Sequence, residues 1–350
     1  MDRPGRREKL VTGIRNITQR DTKTGGQDLS GKDSEHTESE FTPCQRIMAN
    51  ISQVVVGKRP AIELLLVALL ADGHVLLDDV PGVGKTLIAK SLAKSVGGTF
   101  HRIQFTPDLL PGDITGFNVY DQPNGRFVFQ PGPVMSHILL ADEINRTIPR
   151  TQSSLLESME EGQVTVDGKT HVLPHPFFVI ATQNPIEMEG TFPLPEAQID
   201  RFLLKLQLGY PEKTEEIAIL ERFQEQDPLD TLKPVTTPEQ MVGLQEARKR
   251  VLVSPPVREY IADVVRATRT HPSLRFGASP RGSLGLSRAG QALAALRGRG
   301  YVLPDDIKHL TVPVLAHRLI PMDEERLRGR TGAYFLEQIL DRIPVPGPTL

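Results

Sequence analysis

The chain has 350 residues, of which 39% are hydrophobic and 24% charged, with a formal net charge of −2. That length and balance suit a soluble core domain with a smaller one beside it, and the near-neutral charge gives no global pull toward nucleic acid or an anionic membrane. The single cysteine, Cys44, excludes an intrachain disulfide and suits a reducing compartment, so a cytoplasmic protein is expected.

Residues 1–45 mix charge, Gly, Ser and Thr with scattered apolar side chains. Such a segment buries too little surface to offset its ordering entropy, so a disordered polar arm is expected, with at most a transient helix around Lys9 to Ile17. Cys44 falls in this arm, which argues against a reactive or metal-binding role. Arg6-Arg7 lacks the apolar stretch that a secretory or twin-arginine signal carries. Globular sequence begins near Gln45, and Gln53 to Lys58 reads as a strand or turn entering the domain. The longest apolar run, Ile62 to Ala71, is too short and too interrupted to span a bilayer.

Next comes the apolar run Val75-Leu76-Leu77, then Asp78-Asp79-Val80-Pro81-Gly82-Val83-Gly84-Lys85-Thr86, then a helical pattern opening at Leu87. A strand, a glycine-bearing turn ending in Gly-Lys-Thr and a helix form the context of a P-loop. Gly82 and Gly84 let backbone N–H groups turn inward, and the helix N-terminus adds its partial positive charge, so the turn from Pro81 through Val83 cradles phosphate. Lys85 can reach the terminal phosphates and the Thr86 hydroxyl can ligate Mg²⁺. The general pattern has glycine where this chain has Asp79. That first position is tolerant, and Pro81-Gly82 supplies the turn. Binding of a nucleoside triphosphate follows.

His101 to Phe105 reads as a second strand. Gly116 to Tyr120 and Arg126 to Gln130 flank an Asn-Gly turn and predict a hairpin. Ser136 to Ala141 then reads as a strand buried on both faces, ending in Asp142-Glu143. Ligands sit at the carboxyl ends of such strands. Asp142 would hold the Mg²⁺ shell, and Glu143 would polarise the attacking water. Gln163 to Leu173 alternates around Asp167-Gly168, a second hairpin signal. The strand Phe177 to Thr182 leads to Gln183-Asn184-Pro185, whose amide at Asn184 can hydrogen-bond the γ-phosphate or the lytic water. Pro195 to Phe202, including Arg201, precedes a strand-like run from Leu203 to Leu208. From about residue 211 the pattern turns helical with Pro-rich joints, and Ser279-Pro280-Arg281 opens a Leu- and Ala-rich helix. The basic residues Arg288, Arg297, Arg299, Lys308, His317 and Arg318 are spread over several helices without interleaved aromatics, which speaks against a nucleic-acid stripe.

Together these segments resemble the AAA+ ATPases, and within them the MoxR family. Asp79 to Thr86 is similar to its Walker A motif and Leu140 to Arg146 to its Walker B motif, with Thr151 to Glu161 as the following helix. Ala181 to Pro185 looks like sensor 1, Leu194 to Phe202 like the arginine-finger segment, and Ser279-Pro280-Arg281 like sensor 2. The resemblance implies an α/β P-loop core with a parallel sheet and inserted β-hairpins over residues 46–210, followed by an all-α lid over 211–350 that closes over the nucleotide and carries Arg281. It implies ATP and Mg²⁺ as ligands, with Val55 and Val56 flanking the adenine and Leu87 among the nucleotide contacts. It further implies a homo-oligomeric ring, expected as a hexamer, in which Arg201 acts on a neighbour's nucleotide; whether Arg281 acts in cis or in trans stays open. The hairpins either project toward a central channel or brace neighbouring subunits. The biological role it implies is chaperone-like remodelling of client complexes, their maturation or metal insertion, together with a von Willebrand factor A domain protein. A nucleic-acid motor and a chelatase motor subunit are the alternatives.

Overall fold

The computed structural model describes residues 40–184, 190–224 and 227–347. The expected disordered arm falls mostly on residues 1–39, outside the described residues, as does Pro185. Packed structure starts before Gln45. A helix runs Thr42–Val54 with Pro43 in its first turn, and Phe41 and Cys44 are 2% and 0% exposed. Cys44 is therefore a core residue and not part of a polar arm; burial alone pushes its thiol up to about 12, which keeps it protonated and inert.

Five parallel strands form the central sheet: β1 (Val75–Asp78), β2 (Phe100–Gln104), β5 (Ile138–Asp142), β8 (Phe178–Gln183) and β9 (Leu204–Leu206). Their order is β2-β5-β8-β1-β9. The apolar runs are continuous because both faces are covered, and the residues divide strictly by the period of two. Val75, Leu77, Ile138, Leu140, Phe178 and Ile180 enter one core with the helices Thr42–Val54, Arg59–Leu70 and Lys85–Val96. Leu76, Leu139, Ala141, Val179 and Ala181 enter a second, with the helix Pro149–Glu161. Because β8 lies between β1 and β5, its tip stands between the loop after β1 and the two acids after β5.

Both predicted hairpins form. One pairs β3 (Gly116–Asp121) with β4 (Arg126–Pro131), the other β6 (Gln163–Val166) with β7 (Lys169–Val172). Asp167 and Gly168 both take positive φ, 49° and 77°, as an Asp-Gly hairpin turn requires. The hairpins also join each other: Asn118 Nδ2 donates to the Asp167 carboxylate at 2.7 Å, and the Phe129 ring stacks on His171 at 3.8 Å.

Beyond β9 the described residues are helical apart from a short antiparallel pairing, β10 (Leu274–Phe276) with β11 (Ile320–Pro321), and an isolated parallel bridge between Leu252 and Tyr301. Pro238, Pro255, Pro280 and Pro304 each open a helix, which accounts for the Pro-rich joints. The first core runs without a break from the sheet into these helices.

Two buried histidines fasten the amino-terminal edge of the sheet. The Val179 N–H donates to His74 Nδ1 at 3.1 Å, so Nε2 carries the proton it shares with the Met159 carbonyl at 3.1 Å. His317 reaches the Phe202 carbonyl at 3.1 Å. Burial holds both below the ordinary value of 6.5, and for His317 the adjacent Arg318 charge adds to it. The unfolded chain therefore binds more protons than the folded one below that value, so stability is full above about pH 6.5 and falls as the solution is acidified. Urea titrations from pH 8 to pH 5 should show a decline of up to about 1.4 kcal/mol per pH unit for each histidine, and His74→Gln should make that slope shallower.

Candidate active site

The loop after β1 has the geometry of an anion seat. Gly82 and Gly84 take φ of 85° and 91°, and no atom lies within 4 Å of where a Cβ would stand on either. The backbone therefore faces open space at the N-terminus of the helix Lys85–Val96. Lys85 folds back over the loop, its Nζ donating to the Asp79 carbonyl at 2.8 Å. Its ammonium thus already sits among the loop amides.

Asp79 is the residue that sequence reasoning undervalued. Its side chain is buried, and its carboxylate accepts from the N–H groups of Leu208 at 2.5 Å and Gly209 at 3.0 Å. Its own N–H bonds the Gln183 carbonyl at 3.3 Å. One residue thus ties the phosphate loop to the tip of β8 and to the segment leaving β9. That segment leads into the helix Lys213–Arg222. Ile219 and Phe223 from this region join Val55, Val56, Gly84 and Leu87 around a cavity of about 270 Å³ beside the phosphate loop. The predicted adenine-flanking residues and the P-loop are brought together there. Arg222 holds the wall in place by donating to the Ser52 and Gln53 carbonyls at 2.9 and 2.8 Å.

At the tip of β5, Thr182 of β8 organises both acids. Its hydroxyl donates to Asp142 Oδ1 at 2.6 Å and accepts from the Glu143 N–H at 2.8 Å. Arg102 takes the other Asp142 oxygen at 2.6 Å. Glu143 has a left-handed backbone, φ 58°, uncommon for a residue with a Cβ and typical of functional turns. Its carboxylate accepts from Gln104 Nε2 at 2.7 Å and pairs with Arg146 at 3.0 Å. Asn184 follows β8 and is buried. None of Arg102, Gln104 and Thr182 was singled out from sequence, since each acts through neighbours on other strands.

No cluster of three or more metal-ligating side chains occurs among the described residues. A divalent cation carried in on phosphate oxygens needs no such cage: Mg²⁺ keeps several waters and takes one or two protein oxygens. The Thr86 hydroxyl and the Asp142 carboxylate are hard oxygen donors of that kind.

The two arginines lie elsewhere. Arg201 and Arg281 line a cavity of about 540 Å³ together with His74, Met159, Phe177 and Leu203. His74, Phe177 and Leu203 stand at the amino-terminal ends of β1, β8 and β9, and Met159 ends the helix Pro149–Glu161, whereas the P-loop leaves the carboxyl end of β1. Arg281 therefore does not close over the nucleotide loop of its own chain, contrary to the expectation for the lid. It stands beside Arg201, and both pair with Glu160, at 2.5 Å from Arg281 and 3.2 Å from Arg201.

A five-stranded parallel sheet in this order, a P-loop after its first strand, paired acids after β5 and a helical lid define a P-loop ATPase core of the AAA+ type. Two family models match: "ATPase family associated with various cellular activities (AAA)" over residues 74–204 and "AAA lid domain" over 266–338. The chain is 51% identical to the YeaC protein of Bacillus subtilis, over 86% of this chain and 94% of that one. It is 45% identical to the chaperone MoxR1 of Mycobacterium tuberculosis, over 88% of this chain and 84% of that one. A crystal structure of a protein assigned as an ATPase from Cytophaga hutchinsonii superposes with a TM-score of 0.84 at 37% identity, covering 90% of this chain and 99% of that one. The chain belongs to the MoxR family of AAA+ ATPases.

Asp79→Gly would restore the general P-loop pattern, yet it removes the acceptor of the N–H groups of buried Leu208 and exposed Gly209. The buried group left unpaired costs about 1–3 kcal/mol, so urea unfolding should show a loss of that size, and calorimetry should show weakened ATP binding.

Proposed function

We propose that this chain hydrolyses ATP in a Mg²⁺-dependent manner within a homo-oligomeric ring, with each nucleotide site completed by arginines of the neighbouring copy. The observation that carries this reading is the position of Arg201 and Arg281. They share one side of the molecule, at the opposite end of the sheet strands from their own P-loop. Charges so placed serve a second copy's phosphate far better than their own. Arg281 accordingly acts in trans together with Arg201.

Within one site, the loop amides and Lys85 take the β- and γ-phosphates, with Lys85 exchanging the Asp79 carbonyl for phosphate oxygen. Thr86 and Asp142 are the residues that would hold Mg²⁺, which supplies charge to the phosphates when bound. Glu143 leaves Gln104 or Arg146 to accept a proton from the attacking water, and Asn184 orients that water. The arriving arginines offset the charge that develops on the transferred group. The work done with this energy is remodelling of partner complexes, a reading supported by the likeness to a relative named as a chaperone and by the paired hairpins with exposed Phe117, Tyr120 and Phe127. No helix among the described residues is long and apolar enough to cross a membrane.

Lys85→Ala should abolish ATP binding measured by calorimetry, while Glu143→Gln should bind ATP and fail to turn it over. Arg201→Ala should retain binding and lose about 10³-fold or more in rate. Co-assembled rings of Arg201→Ala and Lys85→Ala should regain activity, because at mixed interfaces one copy supplies the P-loop and the other the arginine. Mixed rings verified by mass that stay inactive would overturn the trans assignment.

A further inference from the structure

Glu160 occupies a position that local energetics disfavour. It lies in the last turn of the helix Pro149–Glu161, followed at once by Glu161. Carboxylates at a helix C-terminus face the negative end of its dipole and the unpaired last carbonyls. The offsetting partners come from two distant parts of the chain. Glu160 Oε2 meets Nη2 of Arg201, from the segment before β9, and Glu160 Oε1 meets Nη2 of Arg281, from the first turn of the helix Pro280–Leu296. Each arginine is held through one nitrogen. A guanidinium has five N–H donors, so both keep donors for a further anion.

Two guanidinium groups brought this close repel each other unless an anion lies between them. Glu160 is that anion, and it joins a core arginine to a lid arginine. The residues behind them are stapled in parallel: Asp200 accepts from Ser279 Oγ at 3.2 Å and pairs with the buried Arg318 at 2.8 Å. Asp200 therefore ties the roots of the two arginine segments, and Glu160 ties their tips.

We propose that Glu160 is a positioning residue that holds Arg201 and Arg281 together as one two-armed receptor for the γ-phosphate bound to the neighbouring copy. This rests on the trans reading above. It differs from two arginines acting separately, because loss of the carboxylate disables both arms at once while each nucleotide's own seat remains intact.

The test is steady-state ATP hydrolysis by full-length rings. Glu160→Gln keeps size and hydrogen bonding but removes the charge. It should lower kcat by about tenfold or more, the scale of one lost charge-assisted hydrogen bond. KM for ATP should stay within about twofold, since the P-loop that sets it is untouched. Glu160→Asp, which keeps the charge but shortens the reach, should fall between the two. In an Arg281→Ala background the Glu160→Gln change should add almost nothing, because the unit is already broken. Glu161→Gln, an exposed neighbour with no ion pair among the described residues, should leave kcat unchanged. If Glu160→Gln turns over at the wild-type rate or faster while Arg201→Ala and Arg281→Ala are crippled, the positioning role is wrong and the trans reading stands. If those arginine variants themselves hydrolyse ATP normally, the trans reading falls and this proposal falls with it.

Discussion

A buried carboxylate that accepts two successive backbone N–H groups sets the geometry of the nucleotide end of this molecule. Through Asp79, the phosphate loop, the tip of β8 and the chain leaving β9 are held in one arrangement. The bonds go to main-chain groups, which cannot change rotamer, so the loop and the Ile219–Phe223 wall of the cavity beside it keep a fixed separation. An acid this near a phosphate seat would repel the ligand if its charge were free. Here both carboxylate oxygens are engaged by the Leu208 and Gly209 N–H groups, and it is the Asp79 carbonyl that accepts from Lys85 Nζ.

Much of this could be read from the chain before any coordinates. The five core strands, the P-loop, Asp142-Glu143 and both hairpins rest on local patterns: apolar runs, Gly-Lys-Thr after one of them, paired acids at a strand end, Asn-Gly and Asp-Gly turns. What escaped depends on contacts between distant residues. Asp79 looked like a tolerated departure because its acceptor role is directed at N–H groups 129 and 130 positions away. Glu160 carries no local signal because its partner Arg281 lies 121 positions away. Cys44 was assigned to the arm because composition averages over a window, and the window ended just where Phe41 and Cys44 turn inward. The lid offered the clearest lesson. Ser-Pro-Arg locates a helix start, but the end of the sheet at which that helix stands is a matter of how the lid packs on Leu203 and the helix Arg59–Leu70, for which the sequence carries no local signal.

The two ends of the parallel sheet have divided the chemistry between them. At the carboxyl ends are amides, Lys85, Thr86 and the acids, a seat for phosphate and cation. At the amino ends are Arg201, Arg281 and Arg288, the last exposed and without an ion pair among the described residues. Neither end is a complete catalyst for phosphoryl transfer. On the proposed trans reading, stacking one copy's amino end on the next copy's carboxyl end would supply what each lacks.

The hairpin β6–β7 leaves the helix Pro149–Glu161 through Gly162 alone, and the Leu173 N–H closes back onto the Gly162 carbonyl at 3.0 Å. Two residues, Glu161 and Gly162, therefore separate Glu160 from Gln163, with no slack between them. The hairpin is in turn cross-bonded to β3–β4, so the two ribbons form a single stiff handle. If Glu160 positions the arginines as proposed, this handle is joined to their receptor through Glu161 and Gly162 alone, so a displacement of either would be transmitted to the other.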